Sequence, residues 1–128
     1  MLELPVWLDN LFMASALLSF LTYIVAWITF ARLTMGRIER QIKRDGLARP
    51  SRWDGFLGLR TPGYAISIAC PGHGWDDPGN PIIDVALVQR YVTKADRTRA
   101  WFFLTTGALF VIHALLGALV FDLRYYPD

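Results

Sequence analysis

Two long uncharged stretches dominate the hydrophobic pattern of the chain, residues 11–31 and 100–121. The second, AWFFLTTGALFVIHALLGALVF, runs for 22 residues with one histidine, His113, in its lower half. About 20 apolar residues are what a helix needs to cross the roughly 30 Å hydrocarbon core of a bilayer. Each stretch therefore predicts a transmembrane helix. Trp7, Trp27 and Phe30 stand where interfacial aromatic residues would flank the first, Trp101, Phe102, Tyr125 and Tyr126 where they would flank the second.

The pattern between the spans falls into three parts. Residues 32–45, RLTMGRIERQIKRD, contain no proline and predict that the first helix continues beyond the membrane. Ile38 and Ile42 share one face, Glu39 and Lys43 form an i,i+4 pair, and Gly46 is placed to end the helix. Residues 47–80 carry Pro50, Pro62, Pro71 and Pro78 among many glycines, which predicts an irregular loop. Within it 64–70, YAISIAC, is a candidate strand, and the apolar pieces WDGFLGL and GYAISI suit a loop packed on a surface. From Asn80-Pro81, a strong N-cap and N1 combination with Asp84 in the first turn, one uninterrupted helix is expected to about Asp122. At the other end Asp9 or Asn10 is expected to cap the first span.

Charge orients this arrangement. Net charge is only +2, yet twelve of the 13 Lys and Arg residues lie between Arg32 and Arg99, and the leading tail is acidic. Short loops rich in Lys and Arg stay in the cytoplasm. Both termini are thus expected on the outer side. A signal peptide would have a positive leading region, so the first span reads as a retained anchor. The preference for Arg over Lys, 11 to 2, points to a bacterial source. The expected fold is an all-α membrane protein: an antiparallel two-span hairpin with a periplasmic tail (1–10), a first span (11–31), a cytoplasmic segment (32–99) with helices over about 32–45 and 81–99 and a Gly/Pro-rich loop, a second span (100–121) and a short periplasmic tail (122–128).

Candidate interaction residues follow from spacing. Ser15, Ser19, Thr22, Ala26 and Thr29 form a heptad-like seam of small and weakly polar residues, a surface suited to helix packing in lipid. Gly107, Ala114 and Ala118 are its natural mate, in the same chain or in a neighbour. His113 is either a hydrogen-bonding partner for a seam hydroxyl or part of a proton path, and the lack of further ionisable groups at its depth favours the former. Arg37, Arg40, Lys43 and Arg44 line a basic face that either contacts anionic lipid headgroups or only sets topology.

Catalytic chemistry is poorly represented. Cys70-Pro-Gly-His73-Gly-Trp-Asp76-Asp77 offers metal-ligating side chains, but no second Cys or His in the cytoplasmic segment completes a four-ligand site. No P-loop, GxGxxG, nucleophile elbow or HExxH occurs. No enzyme activity, cofactor, metal or nucleic-acid partner is expected; lipid, with a second copy or a larger membrane complex, is.

The run ADRTRAWFFL over 95–104, followed by Thr105-Thr106, resembles the approach to the second span in the universal stress protein B family. Asp96, Arg97, Arg99, Phe103, Leu104, Thr105 and Thr106 carry the resemblance, with the basic 32–44 stretch in support, while the Gly/Pro-rich middle departs from it. The resemblance implies a two-span protein of the bacterial inner membrane with a stress-linked role and no known catalysis. Function is accordingly expected to be non-enzymatic, accessory or stress-related, acting through helix packing. The alternative is an oligomeric channel or transporter with His113 and the Ser/Thr seam lining a pore.

Overall fold

The structure is a computed structural model that describes residues 5–48, 50, 60–70 and 83–125. Among these every regular element is helical: α1 (Val6–Phe30), a π-helical turn (Ala31–Met35), α2 (Gly36–Arg44), α3 (Arg60–Ala69), α4 (Val85–Gln89) and α5 (Lys94–Tyr125). The two long apolar helices, α1 and α5, pack antiparallel. Both are long and apolar enough to cross a membrane. The chain divides into two compact units, Met1–Val25 with Thr105–Asp128, and Ala26–Leu104.

In the first unit the helices meet through aromatic rings. Phe110 packs on Phe20 with centroids 5.5 Å apart and stacks on Tyr23 at 5.7 Å. Gly107 makes room for that second ring: a Cβ there would lie 3.0 Å from Tyr23 Cε2. Large apolar side chains such as Leu17, Leu18, Leu115 and Leu119 are exposed. Water would penalise that surface at roughly 25 cal/mol per Å2, whereas hydrocarbon would not. The helix starts earlier than Asp9 or Asn10 would cap it, because Pro5 takes that place: its carbonyl accepts from the Leu8 and Asp9 amides.

In the second unit the core is built on a fourfold repeat, Ala26, Phe30, Thr34, Ile38 and Ile42, all buried. Four residues overshoot one α-turn by roughly 40°, so this repeat would spiral off a single face. The π-helical turn, which takes about one more residue for the same rotation, offsets part of that drift. Thr34 and Met35 are thereby both buried. As expected, the helix runs on to Arg44 and ends at Gly46, which adopts φ +75°. The Gly46 amide reaches Lys43 O at 3.1 Å and the Leu47 amide reaches Ile42 O at 3.1 Å, the paired bonds of a Schellman terminus.

Four expectations are corrected here. Residues 64–70 are not a strand, for α3 covers Arg60–Ala69. Thr61, Tyr64, Ala65 and Ile68 are buried at helical spacing, and Pro62 falls in the first turn, where a missing N–H costs nothing. The stretch 47–80 is therefore not irregular throughout. Nor is 81–122 one helix: α4 ends at Gln89, a turn follows at Arg90-Tyr91, and α5 begins at Lys94. Asp84 lies at the N-cap of α4, where its side chain accepts from the Leu87 amide at 3.1 Å. Glu39, finally, pairs with Arg60 at 3.4 Å and accepts from Tyr64 Oη at 3.0 Å, contacts that tie α2 to α3 and differ from the expected pair with Lys43. The expected helix start at Asn80-Pro81, the segment WDGFLGL and residues 71–77 lie outside the described residues.

Candidate functional site

The break between α4 and α5 creates the most concentrated polar cluster among the described residues. Thr93 and Asp96 stand three apart at the head of α5 and satisfy each other's amides: Thr93 N–H donates to Asp96 Oδ2 at 2.8 Å, and Asp96 N–H donates to Thr93 Oγ1 at 3.3 Å. This is a capping box with aspartate in the usual place of glutamate. It explains why a new helix starts here.

The Asp96 side chain is fully buried. A buried carboxylate is tolerated only when paired and hydrogen-bonded, and Asp96 is both. Oδ1 accepts from Thr34 Oγ1 at 2.9 Å and from Arg99 Nη1 at 3.2 Å. Oδ2 accepts from the Thr93 amide, from Thr93 Oγ1 at 2.9 Å and from Arg37 Nη2. Arg37 Nη2 also donates to the Tyr91 carbonyl at 3.1 Å, an acceptor left free of helix bonding by the turn, and Arg37 Nη1 donates to Gln41 at 3.0 Å. Three segments, the π-helical turn, α2 and the start of α5, thus converge on one carboxylate. Burial by itself would raise the Asp96 pKa, but the Thr93 amide, the Thr34 and Thr93 hydroxyls and the Arg37 charge outweigh it and hold the carboxyl below its ordinary value.

Arg37 therefore faces inward, a correction to its place on the expected lipid-facing surface. Arg40, Lys43 and Arg44 are exposed, as a lipid-facing or solvated surface would require. Nearby, Tyr91 donates its hydroxyl to Asp45, which raises the tyrosine pKa. Gln89 closes α4 onto α3 through Ser67 O at 2.6 Å.

Of the packing seam, the structure brings some members together within the chain. His113 Nε2 lies 3.3 Å from Ser15 Oγ, and its Nδ1 lies 2.9 Å from Leu109 O. The partner is thus Ser15, a turn away from the expected depth of Ser19. Phe12 packs on the same imidazole at 6.0 Å. Ser15 and Thr22 also donate to Phe12 O and Leu18 O in their own helix. Ser19 Oγ is buried without a hydrogen-bond partner, Ala26 is buried, Thr29 is half-buried, and Gly107 abuts Tyr23. Ala114 and Ala118 are exposed.

The Asp96 cluster is the feature that sequence reasoning missed. Its signal was present as Thr93-Lys94-Ala95-Asp96, the S/T-x-x-D/E pattern that precedes an apolar run. No group of three or more His, Cys, Asp or Glu capable of holding a metal occurs among the described residues. Cys70 is a half-buried free thiol. The chain matches no family model, no curated protein and no solved structure.

Proposed function

We propose that the chain is a non-enzymatic protein of the bacterial inner membrane, with both termini periplasmic and residues 32–99 in the cytoplasm, acting through helix packing as an accessory or stress-related component of a larger membrane complex or of its own oligomer. The observation that carries this reading is the closure of the Asp96 cluster. Both carboxylate oxygens are filled by protein donors, so the most concentrated polar group among the described residues supports a lock between helices, with no Asp96 acceptor left for a substrate.

The small pair Ala114 and Ala118 adds a surface. Both are exposed, next to half-buried His113 and Gly117, and small residues four apart allow close approach of another helix in lipid. His113, by contrast, is engaged with Ser15 and the Leu109 carbonyl inside its own chain, which favours a structural role over a pore lining.

The test is deletion followed by complementation. Loss of the chain should alter the size or activity of a membrane complex or the stress tolerance of the cell. Wild type should restore it, and an Ala114→Leu/Ala118→Leu variant that inserts normally should not. Unchanged complexes and unchanged tolerance after deletion would refute the accessory role. Ion flux through liposomes holding the purified protein would move the channel reading ahead.

A further inference from the structure

Charge in the Ala26–Leu104 unit is sorted by function. Each described carboxylate there is committed to a protein donor: Asp96 to its cluster, Glu39 to Arg60 and Tyr64, Asp45 to Tyr91, and Asp84 to the α4 N-terminus. The inward arginines, Arg37, Arg60 and Arg99, answer these acids. Arg32, Arg40, Lys43, Arg44, Arg90, Lys94 and Arg97 remain exposed, and among the described residues no carboxylate pairs with them. Asp96 is buried, whereas Asp45 and Asp84 are exposed but hydrogen-bonded, so among the described residues the unpaired charges at the surface of this unit are positive.

Arg90 lies in the turn between α4 and α5, and distance along the helices separates the other six cations into two sets. The first apolar run ends at Ala31 and the second begins at Ala100, and the two helices are level with each other there, since Phe30 stacks on Phe103 and Thr34 bonds Asp96. At 1.5 Å per residue, Arg32 lies about 1.5 Å beyond the first run, Arg97 about 4.5 Å before the second, and Lys94 about 9 Å before it. The headgroup layer is roughly 5–7 Å thick on each side, within reach of these long side chains. Arg40, Lys43 and Arg44 stand about 13–20 Å beyond Ala31, outside the headgroup layer, and Lys43 and Arg44 are also farther from it than the roughly 8 Å over which exposed charges act at physiological salt. Lys94 and Arg97 share the side of α5 away from buried Asp96, Ala100 and Phe103, so they point out of the unit.

We propose that Arg32, Lys94 and Arg97 form a cationic collar that binds the phosphate headgroups of anionic phospholipids on the cytoplasmic leaflet, while Arg40, Lys43 and Arg44 do not contact lipid. The inference rests on the membrane topology proposed above. Two of the three collar residues frame the Asp96 cluster in sequence, so the collar and the helix lock share one short segment of α5.

The experiment uses the full chain reconstituted in zwitterionic bilayers, with spin-labelled phosphatidylglycerol or phosphatidylcholine added as the probe. The motion-restricted fraction of each label reports association with the protein. Wild type should prefer phosphatidylglycerol roughly fivefold, the equivalent of one cation per headgroup. Arg32→Gln/Lys94→Gln/Arg97→Gln should lose the preference. Arg40→Gln/Lys43→Gln/Arg44→Gln, with the same change in net charge, should keep it, and the charge-conserving Arg32→Lys/Arg97→Lys should keep it even if the glutamine variant folds poorly. Equal losses in both glutamine variants, or no preference in wild type, would overturn the collar. Displacement of the label by inorganic phosphate at matched ionic strength would overturn lipid as the occupant. Absence of any motion-restricted component for either label would refute the membrane reading itself.

Discussion

Replacing Asp96 with asparagine keeps the size of the side chain and removes its charge. The wild-type carboxylate takes three donors on Oδ2 and two on Oδ1. Asparagine keeps one acceptor oxygen and offers two N–H groups in place of the other. The amide is best placed with its oxygen toward Thr93 and Arg37, because the Thr34 hydroxyl on the other side can turn and accept, whereas the Thr93 amide cannot. Arg99 then keeps only its 3.3 Å bond to Thr34 Oγ1, and Arg37 keeps a neutral acceptor in place of a charged one. Both arginine side chains are part-exposed, 27% and 32%, so each recovers some hydration. The loss therefore falls at the low end of the cost of breaking a buried ion pair, about 3 kcal/mol. That corresponds to a roughly hundredfold rise in the opening equilibrium of the unit.

Hydrogen–deuterium exchange on the full chain in bilayer discs reads this directly at the amides of α2 and of the first turns of α5. Protection there should drop about a hundredfold in the variant, while the 105–120 amides stay unchanged. The pH dependence provides a second check. The native Asp96 pKa lies below its ordinary value, so its contribution is fully present above about pH 4 and disappears as pH falls through the depressed native value. The gap between wild type and variant should therefore be widest near neutrality and close in strong acid. Protection within about threefold of wild type at neutral pH, against the hundredfold expected, would refute the lock.

Three further outcomes are expected. Thr93→Ala removes the N-cap of α5 and should cost about 1 kcal/mol of stability in the same exchange assay. Combined with Asp96→Asn it should cost less than the sum, because the two side chains share one capping box. His113→Leu should insert normally, resist carbonate extraction, and lower thermal stability in detergent by only about 0.6 kcal/mol; a complete loss of function with normal assembly would contradict its structural role. Cys70 is the sole cysteine of the chain, so a membrane-impermeant maleimide should label it in permeabilised cells and not in intact ones. Labelling of intact cells would reverse the topology.

The two apolar runs were legible because a helix spanning a bilayer needs length and little else, and α1 and α5 cover both of them. The continuation through Ile38 and Ile42 to Gly46 was legible for a similar reason, since amphipathic spacing and a terminating glycine are local signals. Residues 60–69 were not read as a helix because Pro62 and Gly63 look like breakers until the helix is seen to start at Arg60. The break before Lys94 was hidden because no proline or glycine marks it. There the interruption comes from Thr93 and Asp96 capping a new helix, and from Arg37 taking the Tyr91 carbonyl that an unbroken helix would have used. The inward turn of Arg37 is a tertiary event: its pairing with Asp96 spans 59 residues, and spacing within α2 places it among the other basic residues. The π-helical turn left a trace in sequence, the fourfold repeat from Ala26 to Ile42, which a regular α-helix cannot keep on one face.

The central claim, that this hairpin works by packing into an assembly, is tested most directly by the native mass of the protein extracted gently from its own membranes at natural abundance. The account predicts migration with a larger complex or a defined homo-oligomer, lost in the Ala114→Leu/Ala118→Leu variant. A monomer in both wild type and variant, with no partner in the same fraction, would contradict it.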